Sequence, residues 1–170
     1  MTVVNRSYLL QAAPIVDMLD HKVSGPGGTS FGMSEAGYDI RIKQEIWFYT
    51  EDGQKYVDVG DGESHCVTTD GRFALASAIE EFNMPYHLMG IVHDKSTWAR
   101  RGLSVFNTVI EPGFIGGLTL ELVYHGEGEL IIPAGAGIAQ VIFHEIKEPA
   151  AYAGKYQFQS TDPVGPIDSV

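Results

Sequence analysis

The stretch HDKSTWARRGLS, residues 93–104, gathers Lys95, Arg100 and Arg101 around the hydroxyls of Ser96 and Thr97. The rest of the chain is acidic: 11 Lys and Arg stand against 22 Asp and Glu, a formal net charge of −11. Cations gathered locally in an anionic chain suit a small anionic ligand. They argue against a protein that coats nucleic acid, which needs a broad basic surface. On a helix, Ser96 and Arg100 are four apart and share a face, while Arg101 turns about 100° away. A hydroxyl at the helix start, free amides there and Lys95 alongside would hold an anion. The same residues also fit a capped surface turn with solvated cations, and the stretch alone leaves both readings open.

A second stretch carries a carboxylate. In LTLELVY, residues 118–124, Leu118, Leu120 and Leu122 fall on one face of a strand and Thr119, Glu121 and Val123 on the other. Glu121 is then an exposed strand glutamate, or a carboxylate held in a cleft as a general base.

These groups must be positioned by short elements. Residues 5–13 (NRSYLLQAA) read as one helix, and residues 24–37 (SGPGGTSFGMSEAG) as a loop rich in Gly and Ser. YDIRI and QKYVDV alternate by period two. RFALASAIEEF, YHLMGIVHD, LTLELVY, ELIIP and IAQVIFHEI follow as further short strands. Many short strands at close spacing predict an all-β barrel or sandwich. KSTWARRGL reads as one or two helical turns over about 96–101, with Gly102 as its stop. Trp98 is read as packing, and His93 and His144 as strand residues. The tail from Ala151 is polar with aromatics, has no clear period, and is expected to be mobile unless something orders it.

At 170 residues the chain fits one domain. Its single cysteine, Cys66, cannot form an internal disulfide or a multi-thiolate metal site. The start lacks the long apolar core of a signal peptide, and no apolar run could span a membrane. A cytoplasmic protein is expected, with neither membrane nor nucleic acid as partner.

KSTWARRGL, then NTVIEPGFIGGLTLEL, AGAGIAQVIF and GKYQFQ, resemble in content and order the dCTP deaminase family. AGYDIRI, residues 36–42, resembles the opening motif that this family shares with the dUTPases. The resemblance implies a distorted β-barrel or jelly-roll-like, dUTPase-type all-β fold over 1–170, with 150–170 as a C-terminal lid. It implies a homotrimer with active sites between subunits, dCTP as substrate and dUTP as product, and dTTP as a possible inhibitor. It places the catalytic roles on Ser96, Arg100 and the general base Glu121. Lys95 and Thr97 match contacts to the triphosphate, and Glu111 an acid facing the sugar 3′-hydroxyl. Tyr152, Lys155 and Gln159 match tail residues that fold over the phosphates, and Gln140 a structural or base-side contact. Alternatives within the resemblance are an enzyme taking dCTP on to dUMP, a dUTPase, or a trimer that only binds nucleotide.

The chemistry is consistent with these residues. Removing the 4-amino group of cytosine needs water to attack C4 and ammonia to leave protonated. One solution uses zinc with His and two or more Cys, which a single cysteine cannot supply. Without it, a carboxylate must take a proton from water, whose pKa is about 15.7 in bulk. Glu121 fits that task, Ser96 can orient the water, and Arg100 can stabilise charge. Mg2+ is expected on the triphosphate oxygens rather than in a protein cage.

Overall fold

The computed structural model describes residues 2–60 and 67–168. Cys66 lies outside the described residues. In chain order the elements are β1 (Val3–Val4), α1 (Arg6–Ala12), β2 (Lys22–Ser24), β3 (Ser30–Met33), β4 (Tyr38–Arg41), β5 (Ile46–Glu51), β6 (Gln54–Val59) and β7 (Val67–Thr69). They continue with β8 (Phe73–Asn83), β9 (Leu88–Asp94), α2 (Ser96–Ala99), β10 (Leu103–Val105), β11 (Val109–Ile110), β12 (Ile115–Tyr124), β13 (Leu130–Ile132) and β14 (Gly137–Glu145).

Among the described residues the strands form three antiparallel sheets. The largest runs β11-β9-β14-β4-β3-β2, with β1 added to β14; the second runs β10-β12-β8-β7, and the third β13-β5-β6. The fold is mostly β, as predicted, but its strands are divided among three sheets rather than joined in one continuous ladder. The sheets enclose a shared core that includes Ile40, Phe48, Ala76, Phe82, Leu120, Leu122, Val141 and Phe143. Burying each such large side chain contributes roughly 1.5–3 kcal/mol. β12 carries the predicted alternation, with Leu118, Leu120 and Leu122 buried and Thr119, Glu121 and Val123 half-buried on the other face. No helix among the described residues is long and apolar enough to cross a membrane.

One local expectation is corrected. Residues 24–37 are not one loop: β2 and β3 pair there as a hairpin, with Val23 opposite Phe31. The glycines build its tip, where Gly25 N–H donates to Thr29 O at 2.7 Å around a 3-10 turn at Pro26–Gly28. Gly27 there has φ +67°, and a Cβ on it would lie 3.1 Å from the Trp98 ring. Glycine therefore allows both the turn and the close packing. Ser96 stands at the start of α2, as read from the sequence. It occupies the first helical position of α2, while Lys95 is the N-cap, with no side-chain cap bond. The stop at Gly102 is as read from the sequence: its φ is +87° and its N–H donates to Ala99 O at 3.0 Å. α1 likewise matches the helix expected over 5–13, ending on Ala13 in the left-handed region.

Candidate active site

Glu121 projects from the half-buried face of β12 into a cleft of about 660 Å³. β8 contributes Phe73 and Leu75 to its lining, and the segment around β11 contributes Thr108, Val109, Ile110 and Glu111. Phe114 and Thr119 complete the β side, and the tail adds Tyr152, Tyr156, Gln159 and Val164. Most of these surfaces are apolar. Glu121 Oε2 is buried with no hydrogen-bond partner. Burial pushes its carboxyl above the ordinary value, against a weaker opposing hydrogen bond from its own backbone. A carboxylate that burial desolvates is a stronger base than a solvated one.

A separate cleft of about 550 Å³ holds Lys95, Ser96 and Thr97, where β9 runs into α2. The β2–β3 hairpin contributes Lys22, Ser24, Thr29 and Ser30, and Asp39 of β4 and Gln140 of β14 also line it. Lys95 forms an ion pair with Asp39. Gln140 donates to Asp39 Oδ1 at 3.2 Å and to Ser34 Oγ at 2.9 Å. α2 is anchored by Trp98, which is buried and donates from Nε1 to Gly137 O at 2.8 Å. The Arg101 guanidinium lies over the Trp98 ring at 4.8 Å. Asp94 Oδ1 accepts Val105 N–H at 2.7 Å and ties β9 to β10 across α2. With only four residues, α2 sums few peptide dipoles. Anion chemistry in this cleft therefore rests on its side chains.

The structure thus divides the residues expected at one site. Lys95, Ser96 and Thr97 lie together, and Glu121, Glu111, Tyr152 and Gln159 lie together, in clefts with no lining residue in common. Arg100 and Lys155 are exposed and line neither. The Lys155 ammonium instead meets the Ile167 carbonyl and lies 5.2 Å over the Tyr156 ring.

The tail has the strand partner that the sequence did not reveal. Phe158 N–H donates to Ile115 O at 2.8 Å and Gly117 N–H to Gln159 O at 3.1 Å, so it runs beside the start of β12. Gln157 donates to Gly113 O at 2.9 Å and accepts from Ile115 N–H at 2.9 Å. Gln159 donates to Gly117 O at 2.6 Å, so its side chain serves backbone here. Lys43 pairs with Asp162 at 2.9 Å further along.

Sequence reasoning missed Asp39, Lys22, Thr29, Ser30 and Thr108 as cleft residues. None left a local signal: in YDIRI the period-two alternation puts Asp39 with Arg41 on the polar face, where an exposed carboxylate is expected.

A family model described as dCTP deaminase-like matches residues 13–146. A dCTP deaminase of Campylobacter curvus is 39% identical over 163 residues, covering 88% of this chain and 87% of the relative. This chain belongs to the dCTP deaminase-like family. A second dCTP deaminase, from Campylobacter concisus, is 38% identical over 168 residues, covering 91% and 90% of the two chains. Among solved structures, the 2′-deoxycytidine 5′-triphosphate deaminase of Agrobacterium tumefaciens superposes with a TM-score of 0.58 at 11% identity, over 86% of this chain and 49% of that one. It supports the fold. The segment of this dCTP deaminase-like chain that matches the family model carries Lys95–Arg100, Glu111 and Glu121, whereas Tyr152, Lys155 and Gln159 lie beyond it.

Proposed function

We propose that this chain hydrolyses dCTP to dUTP and ammonia, in a site that one copy begins and a second copy completes. The observation that carries the reading is Glu121: a carboxylate on a rigid strand, desolvated, with one oxygen unpartnered in a largely apolar cleft. Such a group is poised to take a proton. Glu121 removes the proton from water as the oxygen bonds to C4 of the cytosine, and returns it to ring N3. The proton of the new C4 hydroxyl then passes through the same carboxylate to the amino group; as the C4–N bond breaks that oxygen becomes the C4 carbonyl, and ammonia leaves. The general-base step is worth roughly 10²- to 10⁴-fold. Ser96 orients the water and Arg100 stabilises the charge that develops. Positioning and fixed dipoles supply the rest.

Lys95 and Thr97 take the triphosphate, Glu111 the sugar 3′-hydroxyl, and Tyr152, Lys155 and Gln159 close over the phosphates. Two clefts that share no residue support an active site between copies, and a homotrimer is the assembly proposed. Mg2+ fits as a companion of the substrate. The Asp39 carboxylate is committed to Lys95, Gln140 and Ser30 and is not a free oxygen ligand. Phosphate oxygens and water would hold the ion, which there neutralises phosphate charge.

Product analysis tests the function. Purified protein is incubated with dCTP and Mg2+, nucleotides are separated by ion exchange, and ammonia is measured. The expected result is dUTP with equimolar ammonia. Ammonia with dUMP would replace this reading by a two-step one, and no ammonia would end it.

A further inference from the structure

Asp39 is a carboxylate only 2% exposed, in the middle of β4 between the core residues Tyr38 and Ile40. Burial of a charge on this scale requires compensation. Three side chains supply it. The Lys95 ammonium and the Ser30 hydroxyl, at 3.5 Å, meet Oδ2, and Gln140 Nε2 meets Oδ1 at 3.2 Å. Gln140 is fixed in turn by its bond to Ser34. The Lys95 side chain is 13% exposed, so this lysine is held rather than solvated. Its own carbonyl accepts from Trp98 and Ala99, at 2.9 and 3.0 Å, and so begins the turn that presents Ser96 and Thr97. An ammonium has three donors and no acceptor. Pairing with Asp39 uses one, and Lys95 still lines the cleft.

We infer that Asp39 is a positioning residue for the proposed deamination, acting through Lys95 to fix the ammonium and the first turn of α2 where the triphosphate is met. This rests on reading the cleft as the phosphate half of the deaminase site. A lysine anchored before the substrate arrives does not have to be ordered by it, which is worth about two- to tenfold in binding for one long side chain. The opposing role for a buried carboxylate in an anion cleft is a mask that withdraws Lys95 from phosphate. The two roles predict opposite signs.

Asp39→Asn keeps the size and an oxygen for Gln140 while removing the charge that holds Lys95. The KM for dCTP should rise about two- to tenfold, the KM for dCMP much less, and kcat should change little. Lys95→Gln should raise the KM for dCTP as well, and Asp39→Asn should then add nothing, because both act through one ammonium. Additive effects, or an unchanged or lower KM in Asp39→Asn, would overturn the inference. A measurement independent of turnover is lysine acylation followed by mass spectrometry. In the native protein Lys95 should label more slowly than the exposed Lys147, and it should label faster in Asp39→Asn. Equal labelling of Lys95 and Lys147 in the native protein overturns the anchored pair whether or not the variant folds. Failure of the native protein to release ammonia from dCTP would instead sink the deaminase reading, and the labelling would still decide the pair.

Discussion

Glu121 has an environment that lets stability and activity be read from one side chain. Burial raises its pKa above the ordinary 4.5. The folded chain therefore holds this proton more tightly than the unfolded chain does. The stability linked to it is fully present below 4.5 and is lost as pH rises through the folded value. Glu121→Gln is neutral throughout and does not suffer that loss. Its Tm relative to the native protein should climb across the window and stay higher at neutral pH. The proposed deamination depends on the opposite state, since only an ionised carboxylate accepts a proton. The variant should bind dCTP yet lose roughly 10²- to 10⁴-fold in rate; turnover within tenfold of native would remove Glu121 as the base. Period two fixed the strand face that Glu121 takes but left it either exposed or held in a cleft; the family resemblance alone pointed to it as the base. Asp39 was not legible. Alternation in YDIRI reads it as a polar-face residue like Arg41, and its partner Lys95 is 56 positions away, beyond the reach of local periodicity.

At the scale of elements, α2 and β12 were readable, and the β2–β3 hairpin and the tail were not. A glycine-rich stretch such as SGPGGTS carries the same local signal whether it is a free loop or a hairpin tip. Tertiary pairing decides, and here Gly25 and Thr29 close the turn. The tail lacked a strand pattern because two glutamine side chains, as well as its backbone, hold it to β12. Removing residues 150–170 should leave a folded β domain by circular dichroism. It would strip Tyr152, Tyr156, Gln159 and Val164 from the Glu121 cleft. The expected result is a loss of dCTP turnover of at least about tenfold, with weaker preference for dCTP over dCMP, as for loss of a closing segment that excludes water. Unchanged kinetics would show that the docked tail has no part in the reaction. The β1–β14–β9 region offers a different test. Burial, and secondarily the neighbouring His93, lower the pKa of His144, whose Nδ1 is buried without a partner. The sign is opposite to that of Glu121. Stability from a neutral His144 is present above 6.5 and is lost as pH falls through the lowered folded value. His144→Leu should flatten that acid slope of Tm, and an identical slope in the variant would assign it to other groups.

At the scale of the whole molecule, the decisive question is how the two clefts meet. One chain holds Glu121 in a cleft with no lysine or arginine in its lining, and Lys22, Lys95, Ser96 and Thr97 in another that lacks Glu121. No reading of a single sequence separates a site built within a chain from one built between chains, because both need the same residues. Assembly makes different arithmetic. Suppose Glu121 comes from one copy and Arg100 from its neighbour. Glu121→Gln and Arg100→Ala chains are then each inactive alone. In a random equal mixture, a site regains both groups when an Arg100→Ala chain supplies Glu121 and a Glu121→Gln chain supplies Arg100. That happens in about a quarter of the sites of a cyclic assembly. Co-expressed or co-refolded mixtures should therefore recover up to about a quarter of native dCTP turnover, at a mass by light scattering of three chains. If both groups came from one chain, no mixture would recover anything, since every site would keep one lesion. Equal inactivity of the mixture and of each variant, with subunit exchange verified by differently tagged chains, would overturn the sharing of Glu121 and Arg100 between copies.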